Sequence, residues 1–192
     1  TSVSRGLGDV YKRQVLNRNL FEKDDGMKSA LIYGTCTGKT EVIADKILAA
    51  FDGVLDIEKV DVGDISPEDI TNWDFLICGI PTWDVGQLEY CWQDIYDEMD
   101  ELDCSGLKVA MFGLGDQFSY EDTYQDAMGI LYKKFVERQA QGGIGFMPVE
   151  GHGHSASEAQ FGEEFCGLAI DDDNQDELTD ERIEAWVAKV KE

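Results

Sequence analysis

The chain has 192 residues, 43% hydrophobic and 10% aromatic, enough for one ordinary domain with a buried core and without an apolar run long enough to cross a bilayer. Forty acidic residues stand against 16 basic ones, a net charge of -24. That charge opposes binding to nucleic acid or anionic membranes and favours basic partners, although it also serves plain solubility.

Residues 1–26 carry five basic and four acidic residues with no apolar periodicity and no signal-peptide core. "TSVSRGLGDVYKRQ" resembles translated sequencing-adaptor DNA, so 1–26 reads as a non-native or disordered extension, Met27 as the natural start and 27–192 as the domain. From there short apolar runs alternate with helical patterns. The runs are 30–34 ("ALIYG"), 54–60, 74–80 and 108–114, with a last one divided between 143–149 and 165–171. Helices are expected over about 38–51, 86–99 and 123–139. A fourth starts at Thr179 as N-cap and carries Ile183, Trp186, Val187 and Val190 as its apolar stripe. Strands that are apolar throughout need cover on both faces, which predicts an α/β doubly wound, five-stranded parallel sheet. Ligands of such sheets sit beyond the carboxyl ends of the strands, so the loops after strands one, three and four are the ones to inspect.

The first of these loops reads "YGTCTGKTE" (33–41). A triphosphate-binding loop needs four residues between its glycines, and Gly34 and Gly38 enclose three. No complete G-x-G-x-x-G exists either, since Phe118 stands where the third glycine would follow Gly113 and Gly115. What remains is a tight turn with Thr35, Thr37 and Thr40 at a helix N-terminus, where roughly half a positive charge favours a monophosphate; a plain strand-to-helix turn is the alternative. The second loop, "PTWDVGQLE" (81–89), places Trp83 at a strand end, either stacked on something flat or packed beneath the loop. The third, 113–127, is glycine-rich and carries Tyr120. Two aromatic residues beside a phosphate cradle point to a clamped planar ring. His152 and His154 read as solvated loop histidines. The five cysteines (Cys36, Cys78, Cys91, Cys104, Cys166) include no C-x-x-C pair and favour free thiols in a reducing compartment.

These motifs, with "GLGDQFSYEDTYQDAMGIL" and "FCGLAIDDDNQDELTDERIEAWV", resemble the flavodoxin family, long-chain type, from Lys28 to Lys191. The resemblance implies strand order 2-1-3-4-5 with the last strand split by an insertion at about 150–164. It also implies non-covalently bound FMN that shuttles one electron at a time between semiquinone and hydroquinone, substituting for ferredoxin. By position, Thr35, Cys36, Thr37, Gly38, Lys39 and Thr40 would cradle the phosphate. Thr82, Trp83, Asp84, Val85 and Gly86 would line one side of the flavin, with Trp83 on one face and the Asp84-Val85 peptide able to turn toward the ring. Gly113, Leu114, Gly115 and Asp116 would reach the polar edge, with Tyr120 on the other face, Thr123 and Gln125 nearby and Asp173 by the ribityl chain. Cys36 and Thr123 depart from the residues common in the family. The implied partners are an NADPH-dependent flavodoxin/ferredoxin reductase and other redox proteins with basic docking patches. The implied protein is a cytoplasmic monomer with no turnover of its own; an FMN-dependent quinone reductase and a cofactor-free binding module are the competing readings.

Overall fold

The computed structural model describes residues 26–192; the extension expected at 1–26 lies outside the described residues apart from Gly26. Five parallel strands, β1 (Ser29–Tyr33), β2 (Glu58–Asp61), β3 (Phe75–Pro81), β4 (Lys108–Leu114) and β5 (Gln141–Ile144), lie in the order β2-β1-β3-β4-β5. The last strand position is filled by two pieces. β5 pairs with the first half of β4 (Lys108 with Gln141, Ala110 with Ile144), and β9 (Leu168–Ile170) pairs with its end (Phe112 with Leu168, Leu114 with Ile170). The intervening insertion forms a small antiparallel sheet of β6 (Met147–Pro148), β7 (Gln160–Phe161) and β8 (Glu164–Phe165).

Burial follows the two-faced sheet. Alternate strand residues point to opposite sides, so Leu31 joins Ile43, Ile47, Phe112 and Trp186 under helices α1 (Lys39–Phe51) and α4 (Thr179–Val190). Ile32 joins Cys78, Met111, Trp92 and Tyr132 under α2 (Tyr90–Glu98) and α3 (Asp126–Glu137). Each fully buried tryptophan satisfies its indole N–H: Trp92 donates to the Gly79 carbonyl at 2.9 Å and Trp186 to that of Gly145 at 3.0 Å. No helix among the described residues is long and apolar enough to cross a membrane.

The boundaries differ from the sequence pattern where tertiary context decides. The second strand starts at Glu58 rather than at 54, and Glu58 and Lys59 are exposed, because it is the sheet edge and needs no cover on its outer side. The second helix begins at Tyr90 rather than 86. A tight hairpin occupies 83–87, and the buried Glu89 carboxylate caps the helix by accepting from the Cys91 and Trp92 amides, both at 3.2 Å. The third helix begins at Asp126, after Gln125 in a left-handed conformation (φ 61°). Thr179 is not an N-cap: it is the first residue of α4, and its hydroxyl donates to Asp172 instead.

The two histidines are half-buried rather than solvated. The insertion folds back so that His152 Nδ1 lies 3.1 Å from the Tyr124 hydroxyl, while both imidazoles pack on Tyr124 and Phe165 at centroid distances of 5.0–5.6 Å. Burial, then the positive charges of Arg182 and His154, hold His152 down to about 4, against the pull of Asp171. The unfolded imidazole titrates near 6.5 and so takes up a proton first as pH falls. His152 therefore contributes stability that is fully present above about pH 6.5 and is lost as pH falls toward 4. Discounted for its partial exposure, the loss is about 1–2 kcal/mol. Chemical denaturation at pH 7 and pH 4.5 is expected to show this difference in the natural chain and a smaller one in His152→Asn.

Candidate functional site

A cavity of about 290 Å³ opens beyond the carboxyl ends of β1, β3 and β4, with the loop after β9 as its fourth wall. Its first wall is the 34–40 turn. Gly34 is required there, since a Cβ would lie 2.3 Å from Glu89 Oε2 and 2.6 Å from Trp92 Cδ1. Thr35 Oγ1 accepts from the Gly38 amide at 2.9 Å, and Gly38 takes φ +84° to turn the chain into α1. Thr35, Cys36, Thr37, Lys39 and Thr40 all line the cavity at this helix start, whose first amides have no helical acceptor; Gly38 shapes the turn from behind. The arrangement is an anion cradle of hydroxyls and backbone N–H groups. The Cys36 thiol lies 3.8 Å from Glu89 Oε1, and burial, then that carboxylate, raise its pKa above the ordinary thiol value. Lys39 turns its ammonium to Asp173 at 2.6 Å.

The second wall is the hairpin after β3. Trp83 and Gln87 exchange two backbone hydrogen bonds of 2.8 Å, enclosing Asp84 (φ 43°), an exposed Val85 and Gly86 (φ 80°). A non-glycine residue in the left-handed region is strained, and Asp is one of the few that tolerates it. Thr82 anchors the base by donating its amide to the Leu114 carbonyl (2.9 Å) while its hydroxyl accepts from the Ala127 amide (3.1 Å). Thr82, Trp83 and Asp84 line the cavity. The Trp83 indole N–H is buried and without a partner.

The third wall is the 114–120 loop. Leu114, Gly115, Asp116 and Tyr120 reach the cavity, and the Tyr120 ring is 48% exposed, open to a flat partner. Asp116 folds the loop on itself: its Oδ1 accepts from the Phe118 and Ser119 amides (3.0 and 2.8 Å) and from Asn174 Nδ2 (2.9 Å). Burial pushes this carboxyl up, but the donors outweigh it and hold it at about 2. Asp172 and Asp173 complete the fourth wall.

Five further residues read from the sequence as site residues do not line the cavity. Val85 is the hairpin apex, and Gly86 rests on Asp126, where a Cβ would lie 2.8 Å from Oδ2. Thr123 donates its amide to the Tyr120 carbonyl and so belongs to the turn behind that ring. Gln125 is fully buried, donates to the Ile170 carbonyl at 3.1 Å and fills the space that a Cβ on Gly113 would need, 2.3 Å away. Gly113 and Gln125 thus form a packing pair behind the wall. The sequence reading missed Pro81 and Asp172 on the cavity, and Glu89 and Asp171 beneath it. Acidic residues closing an apolar strand, as in "LAIDDD", were the available signal for Asp171 and Asp172.

Residues 31–186 match the family model described as Flavodoxin. The chain belongs to the flavodoxin family. It is 48% identical over 164 residues to the flavodoxin of Picosynechococcus sp. and 47% identical over 167 residues to that of Trichodesmium erythraeum, in each case covering 85% of this chain and 96% of the relative. Among solved structures, the flavodoxin of Fusobacterium nucleatum bound to flavin mononucleotide superposes with a TM-score of 0.80 at 28% identity, covering 86% of this chain and 97% of that one. Among the described residues of this flavodoxin no group of three or more His, Cys, Asp or Glu side chains is placed to hold a metal ion.

Proposed function

We propose that this flavodoxin, as the domain 27–192, binds FMN without a covalent link and carries electrons one at a time between other redox proteins. The observation that carries the reading is the pairing of a hydroxyl- and amide-rich turn at 35–40 with two aromatic side chains, Trp83 and Tyr120, on two walls of one cavity. The buried, unpartnered Trp83 N–H supports the fit, since a buried donor calls for an acceptor that a phosphate or ribityl oxygen would supply. FMN supplies the electron chemistry when bound; the protein's part is to hold it and tune it.

Thr35, Cys36, Thr37, Lys39 and Thr40 would hold the phosphate through hydroxyls and amides, with Gly38 turning the chain and Thr40 fixed by burial. Trp83 and Tyr120 exclude water from the two ring faces. Thr82 and Asp84 would line one edge, with Val85 and Gly86 completing the hairpin behind them, and Leu114, Gly115 and Asp116 the polar edge; Asp173 would lie toward the ribityl chain. Purified protein that is not yellow and does not quench the fluorescence of added FMN would sink the proposal.

The acidic rim disfavours adding charge to the site. One like charge at about 8 Å in an effective dielectric of about 20 costs roughly 2 kcal/mol, or about 90 mV for a one-electron couple. The second electron is therefore expected at a strongly negative potential, well below the first. A redox titration showing one two-electron step near that of free FMN contradicts this.

Its partners are redox proteins. An NADPH-dependent flavodoxin/ferredoxin reductase with a basic docking patch suits the net charge of -24, and reduction by it is expected to slow as salt rises. Five free thiols accord with a reducing cytoplasm. Quinone reduction by NADPH without a partner protein would favour the enzyme reading instead.

A further inference from the structure

Lys39 opens α1, a place where the helix dipole disfavours a cation. Its ammonium nevertheless has a strong partner, Asp173 Oδ1 at 2.6 Å, on a loop 134 residues away in sequence. Both residues stand on the cavity wall. Each is fixed from behind, and among the described residues their tips meet only each other. Lys39 follows the Thr35–Gly38 turn, whereas the Asp173 loop is tied down on one side by Thr179 bonded to Asp172 and on the other by the Asn174 amide bonded to Asp171 at 3.1 Å. The two side chains are 53% and 54% exposed. The ion pair thus joins two rigid rims through a contact that opens without disturbing either.

We propose that Lys39 and Asp173 form an ionic clasp across the phosphate end of the site, which slows cofactor release while the ammonium is held by Asp173 and not by the phosphate. The proposal rests on the FMN reading above. Lys39 and Asp173 are in this view positioning residues, because they act by closing the mouth.

The test is the rate of FMN release from holoprotein after dilution, followed by the rise in fluorescence, for the natural chain, Lys39→Met, Asp173→Asn and the double variant. Melting temperatures confirm that each variant is folded. Either single change removes the same contact, so each is expected to speed release about threefold to fivefold, the upper part of the range open to an exposed ion pair. The double variant is expected to be no faster than the singles, because the two residues act as one unit. Raising salt to about 0.5 M is expected to erase the difference.

A lysine that binds the phosphate directly gives the opposite sign for Asp173→Asn, since that change frees the ammonium and removes a like charge. Release that is slowed or unchanged in Asp173→Asn, or effects that add in the double variant, overturn the clasp. Absence of FMN from the natural chain overturns the FMN reading, and the clasp falls with it.

Discussion

Asp171→Ala is expected to lower the folding stability of this flavodoxin by about 3–5 kcal/mol, because it strips a fully buried acceptor from a hydrogen-bonded hub. Asp171 is fully buried at the end of β9, and its side-chain oxygens are held by N–H donors from two loops. It accepts from the Gln117 amide (3.1 Å) and side chain (2.7 Å), and from the Asn174 amide (3.1 Å) and side chain (3.0 Å). Removing the carboxylate leaves the buried Gln117 amide without its acceptor and takes one of two acceptors from each of the Gln117 and Asn174 side chains, at about 1–3 kcal/mol for each buried donor left unpaired. The same Gln117 side chain reaches Gln175 and the Gly153 amide, so the loss spreads to the insertion. Urea denaturation with an unchanged slope and a lower midpoint would show a change in stability alone. Asp171→Asn keeps the shape but turns one acceptor into a donor facing donors, and is expected to lose about half as much. A midpoint for Asp171→Ala within 1 kcal/mol of the natural chain, by the same measurement, would show that the hub is not what holds these loops.

Trp83→Ala is expected to raise the FMN dissociation constant roughly 30- to 150-fold, equivalent to about 2–3 kcal/mol. The indole forms one wall of the cavity and brings a buried N–H that has no acceptor in the protein. Trp83→Phe keeps a plane and loses the donor, so it separates the two contributions; about fivefold is expected for the donor alone. Tyr120→Ala is expected to cost about tenfold, less than Trp83, because the Tyr120 ring remains 48% exposed. Fluorescence titration of apoprotein with FMN measures all three. Affinity for Trp83→Ala within threefold of the natural chain would exclude stacking by Trp83 as a source of binding.

The two predictions differ in how far the sequence alone could have led to them. Trp83 stands in a motif at a strand end, and its role is a local matter of an aromatic side chain placed where a parallel sheet presents its ligand. Asp171 is one of three consecutive aspartates, Asp171 to Asp173. Nothing in the run says that the first is buried under Gln117 and Asn174, the second bonded to Thr179 and the third paired with Lys39. Those fates depend on the direction in which β9 delivers each side chain, and that direction comes from pairing with β4. Gln125 shows the same limit from the other side. It belongs to the loop that lines the site, yet its left-handed backbone turns the carboxamide into the sheet against Gly113.

By itself the sequence determined the α/β class, the five strand positions of the main sheet, the division of the last of them and the two aromatic residues beside a threonine-rich turn. Periodicity, strand-end motifs and glycine spacing are local, and the chain expresses them wherever it folds. Tertiary structure alone decided that the hairpin at 83–87 displaces the start of a helix, that an edge strand leaves Glu58 and Lys59 in water, and that the insertion packs two half-buried histidines against Tyr124 and Phe165. It alone also joined Lys39 to Asp173. The physical reason is the same in each case: burial and hydrogen-bond partners across 28 to 134 residues of sequence are set by strand register and loop closure, which no single stretch of the chain contains.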